Sequence, residues 1–386
     1  MLVSAQLTKT PTVDRLIKIW TQRYVPDLAA LTRNGDLSAF KICKQIASSE
    51  GRAETLDKLD DRALNISCQF ASVRSRGLYE LDPSIVDFSE AKQLSQYAVG
   101  IYAQLLEIYQ NAAEPEGDLN SGRSPQVNWM PNMIPDVTSL ATLLEPTLML
   151  FQSQYVIAKD WRAIGGITTQ LYFTNDLILR KLSPAERVIA APYFKFVEEQ
   201  IALPWERMCA AAARHDLCSP SFILVEQVLP MAQEIAEISF KRLAEMFPNH
   251  WSRRGKLTNA DITHSCLRDL NMFQAYLWLC VLQEDYTPIE KELVDLCVMV
   301  LPRVEVKWEL IEQWNLVLTE EMLKRMNSAQ KDLFQPYAQS LINAFQANRH
   351  HLGANPDSRD PFASKSFSEP SYLDNLLPTA IKRGIA

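Results

Sequence analysis

Three side chains able to act on one ligand lie within four positions of "HSCLRDLNMFQAYLWLCVLQEDYTPIEKELVD", His264 to Asp295: the thiol of Cys266, the guanidinium of Arg268 and the carboxylate of Asp269. On a helix advancing about 100° per residue, Cys266, Asp269, Leu270, Phe273 and Cys280 fall near one face, with Arg268 on its flank. The three groups can then converge on a bound cofactor. Alternatively, Cys266 is a small buried apolar residue and Arg268 and Asp269 are solvated helix charges. In that case the chain works through its surfaces.

Other chemistry is sparsely represented. Five histidines occur; His215, His250 and His264 stand singly at helix margins and read as caps or surface groups, and Arg349-His350-His351 as a solvated helix end. No Gly-rich phosphate loop, Cys-x-x-Cys, His-Glu-x-x-His or Gly-x-Ser-x-Gly is present, and no nucleophile, base and orienting group share a recognisable spacing. No catalysis is expected. A net charge of −7 argues against a nucleic-acid partner, which needs a surplus of Lys and Arg. Seven cysteines, odd in number and scattered, argue against a disulfide framework and for a reducing cytosol. No uncharged apolar run is long enough to span a bilayer, so a cytoplasmic chain, at most peripheral to a membrane, is expected.

The elements that must position the triple read as helical. Eleven glycines among 386 residues disfavour glycine-dependent turns and β-rich architectures. From Thr12 to Asn111 apolar residues recur every three or four positions, which reads as four helices, with Pro26 and Pro83 at their boundaries. Residues 1–112 form an N-terminal helical region, and the proline-rich stretch of residues 113–136, "AEPEGDLNSGRSPQVNWMPNMIPD" from Ala113, a linker or loop. Helical patterning resumes at Val137 and runs through residues 137–348. Ser183-Pro184-Ala185-Glu186 marks a helix start, and Thr258 or Asn259 is placed to cap the helix of the triple. Tyr193, Phe194, Phe196 and Trp205 read as core. Trp308 and Trp314, six apart, do not share a stripe, which leaves one for a partner or a seam. Residues 349–386 read as an extended tail with an apolar end, Leu373, Leu376, Leu377 and Ile381.

"CLRDLNMFQAYLWLCVLQEDYTPIEKELVD" resembles the phycobiliproteins, the bilin-carrying subunits of phycobilisomes. Their pattern of Cys-x-Arg-Asp-Leu, a tyrosine-rich turn, a short acidic loop and Pro-Ile/Leu-Glu/Asp is met without a gap by Cys266, Arg268, Asp269, Leu270, Tyr276, Asp285, Thr287, Pro288, Ile289 and Glu290. The preceding "AQEIAEISFKRLAEMFPNH" is similar to the family's helix, with Phe247 and Pro248 in place. The resemblance covers about residues 183–322 and is most specific from Ala232 to Glu290. It implies a thioether from Cys266 to a linear tetrapyrrole (bilin), pyrrole N–H donors held by Asp269, and Arg268 on a propionate; each role suits the group concerned. The family's tyrosine pair and following arginine are replaced by Met272, Phe273 and Ala275, and the first 180 residues have no counterpart.

The expected fold is therefore all-α: a globin-like domain of phycobiliprotein type with an added N-terminal helical region. Haem is disfavoured, because the helix after Pro288 holds no histidine. Two functions follow from the resemblance: a bilin-binding or phycobilisome-associated protein of photosynthetic light harvesting, or a pigment-free adaptor that keeps the fold. Implied partners are phycobilisome or photosynthetic proteins, with oligomers allowed and thylakoid association implied.

Overall fold

The computed structural model describes residues 9–26, 37–79, 88–112, 135–152 and 164–354. The proline-rich stretch up to residue 134, and the tail beyond residue 354 with its leucines, lie outside these. The expectation of an all-α chain holds, with one two-stranded exception.

Helix α1 (Pro11–Thr21) starts where Thr10 accepts from the Val13 amide and proline occupies the first turn, which needs no amide donor. It buries Val13, Leu16 and Trp20, and Trp20 stacks on Trp205 with centroids 5.0 Å apart. A 3-10 turn, Gln22–Tyr24, then releases the chain into an extended Val25 ahead of Pro26. Four further helices follow: α2 (Leu37–Ile46), α3 (Ser49–Asp57), α4 (Asp61–Tyr79) and α5 (Phe88–Gln110). Among the described residues before 112 that makes five α-helices, where the sequence pattern reads as four. The pattern "TLDKLDDRALNISCQFASV" is broken between Asp57 and Asp61, where Asp60 accepts from the Ala63 amide at 2.7 Å and so opens a new helix.

Asp136 opens α6 (Val137–Gln152) by accepting from Thr138 and Ser139. Next come α7 (Ile164–Leu179) and α8 (Pro184–Ala202), the latter begun by the expected box in which Ser183 and Glu186 each accept from the other's backbone amide. α9 (Trp205–Ala212) and α10 (Pro220–Val228) lead to α11 (Ala232–Met246). A hairpin of β1 (Trp251–Ser252) and β2 (Gly255–Lys256) precedes α12 (Ala260–Gln283). Gly255 has φ +119, and a Cβ there would stand 2.6 Å from the Asn259 amide nitrogen, so both conformation and space call for glycine.

After α12 the chain turns at Glu284, in the left-handed region. A π-helical turn (Pro288–Leu293) runs into α13 (Val294–Val300), followed by α14 (Trp308–Leu323) and α15 (Ser328–Ala347). α12 is buried from Leu270 to Leu282 without interruption, as expected of a helix enclosed on all sides. It packs on α9, α10, α11 and α15. A single apolar cluster runs from Val13 to Ala354, and the expected core residues Tyr193, Phe194, Phe196 and Trp205 lie within it. A second, smaller cluster of Leu243, Leu257, Ile262, Leu310 and Val317 sits under the first turns of α12. No helix among the described residues is long and apolar enough to cross a membrane.

Candidate functional site

The first half of α12 carries the triple. Asn259 occupies the capping position, as one of the two expected residues, but its side chain donates to the Arg254 carbonyl at 3.3 Å instead of capping the helix. The first turn is held by Asp261, which takes Arg74 at 2.7 Å and the Tyr172 hydroxyl at 3.1 Å. A carboxylate there also suits the positive end of the helix dipole.

Cys266, Arg268 and Asp269 line one cavity with predominantly apolar walls, together with Met272, Phe273 and Trp314. Leu270 and Cys280, placed on the same face by periodicity, are instead fully buried in the core. The Cys266 side chain packs against the small cluster beside Leu243, Leu257 and Leu310. Burial, and then the charge of Asp269, push its thiol up to about 12. The guanidinium of Arg268 donates from Nε and Nη2 to the same oxygen of Asp269, at 2.9 and 2.8 Å, and its Nη1 lies 3.7 Å from Glu198.

The volume of this cavity is about 120 Å³. Phe273 meets Trp314 edge-on at 5.9 Å and Phe345 at 5.4 Å, filling one side. Leu301, Val304 and Val306 close another, and the Arg253 amide ties the hairpin to the Val304 carbonyl at 2.9 Å. Trp314 thus faces a cavity and Trp308 is buried, so neither serves as an exposed contact. An apolar cavity of about 150 Å³ takes up benzene, whereas sites for drug-sized ligands run to roughly 300–1,000 Å³. The donor set suits a linear tetrapyrrole; the space admits about one of its rings. The residues present do not fit the whole pigment.

Two of the histidines, His215 and His264, are partnered as structural groups. His215 bridges Ser219 and the Leu282 carbonyl at 2.8 and 2.7 Å. His264 meets Glu198 at 3.2 Å and stacks on Tyr172 with centroids 4.3 Å apart. His250 is buried, with its pKa lowered by burial and by Lys307 against the opposing charge of Glu309. Among the described residues no group of three or more His, Cys, Asp or Glu side chains is arranged to hold a metal.

Sequence reading missed a second group across α12. Glu199, buried on α8, takes Arg23 at 2.8 Å and the Tyr24 hydroxyl at 2.9 Å, while Arg23 also donates to Asn271 of α12 at 3.3 Å. Adjacent acids in the apolar run "YFKFVEEQIA" were the available signal, since charges on a buried helix demand partners.

The model of the phycobilisome protein family matches residues 222–345, from α10 to α15. The match supports a phycobiliprotein-family domain over this span. It begins and ends later than the span of about 183–322 suggested by motif resemblance, and it takes in most of α15. No curated protein and no solved structure matches the chain.

Proposed function

We propose that the chain is a pigment-free, phycobilisome-linked adaptor, acting at the thylakoid surface through protein contacts and without catalysis. The family domain supports the phycobilisome context. The observation that carries the pigment-free reading is the cavity at Cys266, at about 120 Å³ well short of a tetrapyrrole, with Asp269 already occupied by Arg268. The high thiol pKa adds to this, because a thioether forms through the thiolate. For the contacts, α4 offers an outward stripe of Ile66, Phe70 and Val73 at helical spacing, exposed by 42%, 66% and 60%. Exposed apolar patches on otherwise polar surfaces mark interaction sites.

The second reading, covalent attachment of a bilin, draws on one specific observation: all three motif residues face a single cavity. The two are separated by co-producing the full chain with bilin-synthesis enzymes and a panel of lyases, then staining denatured protein for zinc-enhanced fluorescence. A colourless band is expected with every lyase. A fluorescent band that disappears in Cys266→Ala would overturn the pigment-free reading.

A further inference from the structure

Across α12 from Cys266 lies a larger cleft, which shares only Arg268 with the family motif. Its volume is about 700 Å³, and its walls come from the turn after α1, from α7 and α8, and from the outer face of α12. That size falls within the range of roughly 300–1,000 Å³ typical of organic ligand sites. The cleft thus joins the turn after α1, the intervening helices α7 and α8, and α12 of the span that matches the family.

Its charge is uneven. Arg23, Arg180, Arg187, Lys195 and Arg268 line it, against Asp176, Glu198 and Glu199. Each carboxylate already has an internal partner: Glu199 takes Arg23, Asp176 takes Arg180 at 2.8 Å, and Glu198 accepts from Asn175 at 3.3 Å and meets His264. The surplus falls on Arg187, whose hydrogen bonds go to the Leu179 and Leu182 carbonyls, and on Lys195, which donates to the Arg23 carbonyl and stands 3.8 Å from Glu199. In a chain whose net charge is −7 this is a local reversal, and a concave wall with a net positive balance attracts anionic ligands.

The cleft also has a flat wall. The Tyr172 and His264 rings stack with an interplanar angle of 19°, and Phe194 and Tyr24, both buried, also line the cleft. Aromatic faces beside fixed cations suit a ligand with a planar apolar body and acidic substituents.

We propose that this cleft binds, without a covalent bond, an organic polyanion with a flat conjugated body, its acidic groups toward Lys195 and Arg187 and its body against the Tyr172–His264 pair. The site stands independently of the outcome at Cys266, which lies in the other cavity.

The probe is anilinonaphthalene sulfonate, a flat aromatic anion whose emission rises on entering an apolar site, titrated into the full-length protein. Saturable enhancement is expected. Lys195→Glu and, at the more exposed rim, Arg180→Glu are each expected to raise the dissociation constant by about tenfold, as reversal of a nearby charge at a partly solvated site implies. Met272→Trp, which fills the Cys266 cavity, should leave it unchanged. Circular dichroism melts confirm that each variant folds. Enhancement that ignores both charge reversals in folded protein, or that Met272→Trp abolishes, would overturn the proposal.

Discussion

Removing the charge of Glu199 tests the seam between the N-terminal region and α8. Burial alone would raise this carboxyl, but the charges of Arg23 and Lys195 and the hydrogen bonds from Arg23 and Tyr24 together outweigh it, holding the group at about 2 against an ordinary 4.5. A folded-state value below the unfolded one means that the ionised form is stabilised in the fold. At about 1.36 kcal/mol per unit, the difference corresponds to roughly 3 kcal/mol of stability. That agrees with the roughly 3–5 kcal/mol lost when one member of a buried ion pair is removed. Glu199→Gln keeps the shape and deletes the charge, leaving Arg23 with a side chain only 10% exposed and no carboxylate. The expected result at pH 7 is a loss of about 3 kcal/mol by urea denaturation and a fall in Tm of roughly 4 °C. The sign with pH is fixed: the contribution is fully present above about pH 4.5 and lost as pH falls toward 2. Wild type and variant should therefore differ by a constant amount above pH 5 and converge below it. Equal midpoints at pH 7, or a gap that stays constant down to pH 3, would refute the reasoning.

Two further outcomes follow from the same chemistry. Cys266, pushed up to about 12, should alkylate far more slowly at pH 8 than the exposed Cys218, as read by peptide mass spectrometry after iodoacetamide treatment. Glu206, raised to about 7 by burial and by Glu145, contributes stability that is present below pH 4.5 and lost as pH rises through 7; Glu206→Gln should therefore match wild type in thermal melts at pH 4.5 and exceed it at pH 8.

What the sequence made legible was whatever local pattern determines. The capping box at Ser183 and the start of α6 at Val137 were readable because each depends on a few neighbouring residues. Periodicity puts Cys266 and Asp269 on one face of α12, whereas Arg268, on the flank, lines both this cavity and the cleft beyond it. The hairpin before α12 was not foreseen. It spans six residues, too few for an alternating pattern to register, and is set by the positive φ of Gly255 and the tie from Arg253 to Val304, some fifty positions away. The break between α3 and α4 was hidden because apolar spacing continues through it; only Asp60, as a cap, announces a new helix.

The volume of the Cys266 cavity could not be read from the motif, since a motif names donors and leaves out what fills the space between them. Here that space is taken by Phe273 from α12 itself, Trp314 from α14, Phe345 from α15 and the segment before α14. Only the first of these belongs to the motif segment. The larger cleft is still less local: Arg23 meets a glutamate 176 positions later and also donates to Asn271 of a helix that begins beyond residue 259. Arg268 lines both spaces and is within reach of a carboxylate in each, Asp269 on one side and Glu198 on the other. The same side chain that the motif assigns to a pigment therefore joins, in this chain, the family domain to the region added ahead of it.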